Sequence, residues 1–216
     1  MQAARVRIKI CGLRDPAQAR AAAAAGVDAI GLNFHPASPR ALDIACAQAI
    51  CAALPPFVVS VGLFVNADAT TLRAVLDQVP LQMLQFHGDE DEAECLRWDR
   101  PYLKALRVRP GMDLERVLKA DYASAAGILL DTYRKGVPGG TGAVFDWDCI
   151  PAEHGRALVL AGGLNADNVG PAIRQVRPWA VDVSGGVERE PGVKDPAAML
   201  KFVRAVRAAS NGEGWT

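Results

Sequence analysis

Short, almost uninterrupted apolar runs alternate along the chain with Ala- and Leu-rich stretches, and polar or glycine-containing loops separate them. Val58–Val61 and Gly127–Leu130 are two such runs, typical of strands that are buried on both faces of a parallel sheet. The Ala- and Leu-rich stretches have the length and the amphipathic pattern of helices. The alternation predicts eight βα units at a spacing of roughly 25 residues.

The predicted strands are Arg5–Cys11, Ala29–Phe34, Val58–Val65, Met83–Phe86, Tyr102–Val108, Gly127–Asp131, Ala157–Ala161 and Ala180–Val183. The predicted helices are Pro16–Ala25, Ile44–Ala53, Ala69–Val79, Glu90–Trp98, Leu114–Ala120, Asp146–Ile150, Ala166–Gln175 and Pro196–Ala208, and the sixth has the poorest pattern. Eight units in 216 residues predict an α/β protein with a single (β/α)8 TIM barrel over residues 1–209 and a frayed tail over 210–216. The alternative is an open doubly wound sheet, which the lack of a G-x-G-x-x-G motif after the first strand disfavours.

Charge and composition narrow the classes of function. Lys and Arg total 24 and are balanced by 24 Asp and Glu, so there is no basic excess of the kind that a nucleic-acid-binding protein carries. The uncharged segment Ile44–Val65 is long enough to span a bilayer, but Pro55-Pro56 divides it into a helix and a strand. We therefore expect no nucleic-acid partner and no membrane span.

The five cysteines form no C-x-x-C pair, and the three histidines have no ligand-like spacing. We expect reduced thiols, no metal site and, because the N-terminus has no secretory signature, a cytoplasmic protein.

Two residues at predicted strand ends suit proton transfer, since the site of a (β/α)8 barrel lies at the carboxyl ends of the strands. Lys9 and Cys11 share one face of the first strand, where the ammonium would favour the thiolate. Asp131 ends the sixth strand, where burial would favour the neutral acid, the form that a proton donor needs. The alternatives are an inert buried cysteine and an aspartate that caps a loop.

Two glycine pairs follow the seventh and eighth strands, Gly162-Gly163 and Gly185-Gly186, the latter preceded by Ser184. Paired glycines let backbone N–H groups approach an anion, and these two loops usually hold phosphate in this fold. Together they predict a phosphorylated small-molecule ligand, although each pair alone could be only a turn.

Other polar residues lie near the same predicted strand ends. Arg40, in a proline-stiffened loop, could bind a carboxylate or remain solvated. His87 follows the fourth strand and is expected to pack or form a hydrogen bond near the site, while Arg107 could be solvated or ion-paired. Asp182 could bond a sugar hydroxyl or complete a buried polar network. The glycine-rich segment 133–142 is expected to be a mobile cover, or else a surface excursion.

Several motifs, in order along the chain, resemble those of the phosphoribosylanthranilate isomerase family of tryptophan biosynthesis: Lys9–Leu13, Ser38–Arg40, Gly62–Asn66, Gln85–Gly88, Leu130-Asp131, Gly139–Gly142, Leu160–Leu164 and Val181–Glu188. The resemblance implies a (β/α)8 barrel that performs an Amadori rearrangement without cofactor or metal. It also implies that Cys11 is the general base, that Asp131 is the general acid, that Arg40 holds the anthranilate carboxylate, and that the last two loops hold the phosphate.

Two other functions remain open at this point. One is another sugar-phosphate isomerase or epimerase barrel, and the second is a catalytically silent phosphate-binding barrel. The quaternary structure, monomer or homodimer, also remains open.

Overall fold

The eight strands of the barrel pair in chain order and close into a ring of parallel strands. The computed structural model describes residues 5–132, 146–153 and 155–210. The barrel strands are β1 Arg7–Cys11, β2 Ala29–Asn33, β3 Val59–Phe64, β4 Met83–Phe86, β5 Tyr102–Val108, β6 Gly127–Thr132, β7 Leu158–Leu160 and β8 Ala180–Val183. The closed ring confirms the predicted (β/α)8 barrel.

The helices of the described residues are α1 Pro16–Ala25, α2 Ile44–Ala52, α3 Ala69–Leu76, α4 Glu92–Leu96, α5 Leu114–Ala120, α6 Val169–Val176 and α7 Pro196–Ser210. A short antiparallel hairpin, β9 Glu188–Glu190 and β10 Val193–Lys194, follows β8 and is absent from the predicted elements. Single 3₁₀ turns cover Trp147–Cys149 and Gly185–Val187.

Aspartates fix the start of five helices. Asp15, Asp43, Asp68, Asp91 and Asp113 each accept a hydrogen bond from the backbone N–H three residues further along the chain. Such N-caps satisfy an otherwise unpaired donor of the first turn and each stabilise a helix by about 1 kcal/mol. The caps explain why α1, α2, α3 and α5 begin at the predicted residues.

Several predicted boundaries are wrong, including the following three. The sixth helix is only the 3₁₀ turn Trp147–Cys149. Helix α6 begins at Val169 because Asn165 accepts hydrogen bonds from the N–H groups of residues 167 and 168 and holds them in a turn. Ser210, assigned to the frayed tail, is the last residue of α7, where it is buried and its hydroxyl donates to the Val206 carbonyl. The proposed cover 133–142 and residues 211–216 lie outside the described residues.

The buried apolar residues form two clusters, and the carboxyl ends of the strands carry polar side chains as well. The larger cluster packs the strands against the helices, and the smaller one contains Leu103, Leu129 and Val159 from the opposite face of β5, β6 and β7. Polar residues on this inner face follow the strand register, which pairs Lys9 with Asp182 and Arg107 with Asp131. The barrel thus gathers charged side chains from distant segments at one end.

Candidate active site

A cavity of about 470 Å³ opens at the carboxyl ends of the barrel strands. Its wall contains ten of the residues that the sequence singled out: Cys11, Arg40, His87, Asp131, Gly162, Gly163, Asp182, Ser184, Gly185 and Gly186. Lys9, singled out with Cys11, is not among the lining residues. Arg107 also lines it. The fold therefore brings all ten candidates to one cavity of a size that suits a small-molecule ligand.

Cys11 lies at the last position of β1 and is 6% exposed. Gly31 stands opposite it on β2, and a Cβ at Gly31 would lie 2.5 Å from the Cys11 sulfur. The missing side chain at this position makes room for the thiol. Since β1 and β2 are hydrogen-bonded neighbours, any side chain at residue 31 would displace Cys11.

Lys9 favours the Cys11 thiolate, as expected, but its effect is smaller than that of burial. Burial raises the pKa of Cys11, and although Lys9 and Lys194 act in the opposite direction, they do not outweigh it. The reason is that the Lys9 ammonium already lies 2.9 Å from Asp182 Oδ2 in a buried ion pair. The thiol of the protein alone is therefore the dominant form at neutral pH.

Burial acts against the Lys9 ammonium, but Asp182 and Cys11 together outweigh burial and raise the pKa of Lys9. Asp182 therefore belongs to a buried polar network. Its second oxygen, Oδ1, is buried and has no hydrogen-bond partner among the described residues. It is therefore an unsatisfied hydrogen-bond acceptor of a residue that lines the cavity.

Asp131 has two hydrogen-bonding neighbours at the end of β6. Its Oδ1 accepts the backbone N–H of Thr132 at 2.8 Å, and its Oδ2 lies 3.2 Å from His87 Nε2. His87 Nδ1 in turn lies 3.1 Å from the amide nitrogen of Gln85. Arg107 donates to the His87 carbonyl at 3.3 Å.

Arg40 forms a bidentate pair with Glu188, which the sequence analysis missed. Its Nε and Nη2 lie 2.8 and 2.7 Å from the two carboxylate oxygens. Lys194 of β10 lies 2.6 Å from the same carboxylate, and its side chain is fully buried. Burial opposes the charge on Glu188, but the two cations outweigh it and lower the pKa of Glu188. Glu188 ends a motif that could have drawn attention to it, whereas no sequence signal pointed to Lys194.

The two glycine loops line the cavity. Gly162 and Gly163 have φ values of +84° and +67°, a left-handed region that glycine adopts without strain. Ser184, Gly185 and Gly186 follow β8, and Gly185–Val187 forms a 3₁₀ turn. Both loops therefore bring backbone groups without bulky side chains to the edge of the cavity.

Within residues 5–132, 146–153 and 155–210, no three His, Cys, Asp or Glu side chains are grouped so that they could hold a metal ion. Across the same ranges, no helix has the length and apolar character needed to cross a membrane. All five cysteines are free thiols.

Comparisons with known proteins agree with the resemblance read from the motifs. Residues 8–205 match the family model for N-(5'phosphoribosyl)anthranilate (PRA) isomerase. A Pseudomonas aeruginosa N-(5'-phosphoribosyl)anthranilate isomerase is 61% identical over 208 residues, which cover 96% of this chain and 98% of that protein. The crystal structure of phosphoribosyl anthranilate isomerase from Thermotoga maritima is 40% identical, has a TM-score of 0.86, and is matched over 94% of this chain and 99% of its own.

A further solved phosphoribosyl anthranilate isomerase is in complex with reduced 1-(o-carboxyphenylamino)-1-deoxyribulose 5-phosphate. It is 38% identical, has a TM-score of 0.79, and is matched over 94% of this chain and 99% of its own. These matches span nearly the whole chain, and the family-model match over residues 8–205 includes every cavity residue discussed above. The chain therefore belongs to the family of N-(5'-phosphoribosyl)anthranilate isomerases.

Proposed function

We propose that the protein converts N-(5-phosphoribosyl)anthranilate to 1-(2-carboxyphenylamino)-1-deoxyribulose 5-phosphate in tryptophan biosynthesis, with Asp131 as general acid and Cys11 as general base. The observation that carries the proposal is that a thiol and a carboxyl group from β1 and β6 line one cavity. Around them the same cavity wall contains an arginine and two glycine loops, which suit the carboxylate and the phosphate of this substrate.

The first step opens the sugar ring. Asp131, in its acid form, donates a proton to the ring oxygen while the bond between that oxygen and C1 breaks. The lone pair of the anilino nitrogen forms the C1–N double bond, so the product is a protonated Schiff base. His87 lies 3.2 Å from Asp131 Oδ2 and keeps this carboxyl group in place.

The second step moves the double bond. The cationic Schiff base makes the proton on C2 acidic, and the Cys11 thiolate removes it. The electron pair of the C2–H bond forms a C1–C2 double bond, and the C1–N pair returns to nitrogen. The resulting enolamine becomes the ketone when C1 gains a proton and the C2 hydroxyl loses one. Each positioned proton donor or acceptor typically contributes about 10²–10⁴-fold in rate.

The remaining residues hold the substrate across the cavity. Arg40 would take the anthranilate carboxylate, and the loops that contain Gly162 and Ser184 would take the phosphate. Asp182 Oδ1, which has no partner among the described residues, would accept a sugar hydroxyl. Fixing both ends of the substrate orients the reacting carbons between the acid and the base.

The test follows the loss of phosphoribosylanthranilate fluorescence on adding the protein. We expect Cys11→Ala and Asp131→Asn each to lower kcat by at least about 100-fold, with KM changed by no more than a few-fold. Cys149→Ala, at an exposed cysteine outside the cavity, is the matched control and should retain full activity. A variant at either site with near-normal kcat would remove that residue from the mechanism. Phosphate binding without any fluorescence loss by the wild-type protein would favour the silent barrel.

A further inference from the structure

A guanidinium group has two edges that can form a bidentate pair with a carboxylate, one from Nε and Nη2 and one from Nη1 and Nη2. Glu188 occupies the first edge of Arg40, at 2.8 and 2.7 Å. Nη1 of Arg40 has no hydrogen-bond partner among the described residues, and Arg40 lines the cavity with a side chain that is 12% exposed. Only the second edge is therefore open to a ligand.

We propose that Glu188, held in place by Lys194, is a positioning residue that directs the Nη1–Nη2 edge of Arg40 to the substrate carboxylate. The inference rests on the proposed function only for the ligand of Arg40. Glu188 does not touch the substrate in this arrangement. It fixes the plane of the Arg40 guanidinium before the substrate binds. A solvated arginine would lose side-chain conformational entropy on adopting that orientation.

Lys194 compensates the negative charge that Glu188 places beside Arg40. A carboxylate paired with Arg40 cancels the charge that should attract the substrate carboxylate. Lys194 lies 2.6 Å from Glu188 Oε1 and contributes a second positive charge, so the three groups together carry a net charge of +1. The cluster can therefore orient Arg40 and still attract an anion.

Lys194 also connects Glu188 to the loop that begins at Ser184. Its ammonium donates to the backbone carbonyl of Ser184 at 3.1 Å and lies 3.3 Å from the Ser184 hydroxyl. Ser184 begins the loop proposed to hold the phosphate. One buried cation thus links that loop to the residue that orients Arg40, which fixes the distance between the carboxylate and phosphate sites.

The test compares two probes, a 1-phenylamino-1-deoxypentitol 5-phosphate with an ortho-carboxylate and the same compound without it. Their dissociation constants are measured by calorimetry for the wild type, Glu188→Gln and Lys194→Arg. We expect the wild type to prefer the carboxylated probe by about tenfold or more, as charge-assisted hydrogen bonds predict. Glu188→Gln should reduce this preference to less than about threefold, with little change for the carboxylate-free probe. Lys194→Arg keeps the charge and should retain the preference.

The direction of the change distinguishes orientation from charge alone. If charge alone mattered, Glu188→Gln would raise the cluster charge to +2 and strengthen the preference, which would overturn the proposal. Equal weakening for both probes would also overturn it, because it would indicate a merely structural role. Thermal unfolding of each variant and of the exposed-surface control Asp167→Asn reports on folding. Glu188→Asp, which keeps the charge but shortens the reach to Arg40, replaces Glu188→Gln if that variant does not fold; orientation predicts a reduced preference for the carboxylated probe, and charge alone predicts an unchanged one.

The same experiment separates failure of this inference from failure of the proposed function. A wild-type protein that binds both probes equally would exclude Arg40 as the carboxylate site, and that result would count against the proposed function. A wild-type preference that survives in Glu188→Gln would overturn only the positioning role of Glu188.

Discussion

The substitution Gly31→Ala should disable the protein through its effect on Cys11. An added Cβ would lie 2.5 Å from Cys11 Sγ, 3.0 Å from its Cα and 3.1 Å from its Cβ. Rotation of the Cys11 side chain could relieve only the first of these contacts, because the other two involve atoms whose positions the strand fixes. Strand β1 and its thiol must therefore move away from β2.

The size of that movement follows from the distances. Apolar atoms are in optimal contact at about 3.5 Å, so the sulfur has to move by about 1 Å. Overpacking of a filled site costs about 1–3 kcal/mol of unfolding free energy. A misplacement of about 1 Å in a reacting group lowers the rate by about 100-fold. We therefore expect Gly31→Ala to remain folded but to lose about two orders of magnitude in kcat.

The fluorescence assay gives kcat, and urea unfolding gives the stability. Gly170→Ala is the matched control, because a Cβ at this position in α6 would meet no atom closer than 3.5 Å. It should leave kcat unchanged and the stability equal or higher, since glycine is less favourable than alanine in a helix by about 0.5–1 kcal/mol. Adding Cys11→Ala to Gly31→Ala should reduce the loss of stability, because the closest of the three contacts disappears.

Two results would refute this reasoning. A Gly31→Ala variant with wild-type kcat would mean that the position of the sulfur does not limit the reaction. A loss of stability that is the same with and without Cys11→Ala would mean that the strain does not pass through the thiol.

Three further predictions concern ionisable groups. Burial raises the pKa of Cys11, so the thiolate absorbance at about 240 nm that wild type shows in excess of Cys11→Ala should increase through neutrality and continue to increase past about pH 8.5, the ordinary cysteine pKa; a plateau at pH 7 would contradict this. The Lys104 ammonium lies 2.8 Å from the buried Glu90 carboxylate, and Lys104→Met removes this cation. Urea unfolding should therefore show a loss of about 3–5 kcal/mol in the free energy of unfolding, and a loss below about 1 kcal/mol would refute the importance of the pair. Burial raises the pKa of Cys95 to about 12, so peptide mapping after alkylation should find exposed Cys149 labelled in the native protein and Cys95 only after unfolding; equal labelling rates would be the contrary result.

Much of the fold could be predicted from local patterns. Strands β4, β5 and β8 and helices α1 and α5 have the predicted bounds, because apolar runs and aspartate caps are properties of neighbouring residues. The hairpin of β9 and β10 could not be predicted in this way. Its two strands are three and two residues long, too short for a periodic pattern.

For the candidate site, the residues could be predicted from the sequence more readily than their partners. Cys11, Asp131 and the glycine loops could be predicted to share a cavity, because the carboxyl ends of parallel strands meet at one end of a barrel. The partners of those residues could not. Arg40 and Glu188 are 148 positions apart, and nothing in either segment indicates that they form a pair.

The amino-acid sequence by itself determined the order of the barrel strands, the closed parallel barrel and the strand ends that meet at its mouth. Only the tertiary structure decided which charges pair there: Lys9 with Asp182, and Glu188 with both Arg40 and Lys194. The physical reason is that a repeating apolar pattern acts over a few residues, whereas an ion pair depends on distances of about 3 Å between segments that meet only when the barrel closes.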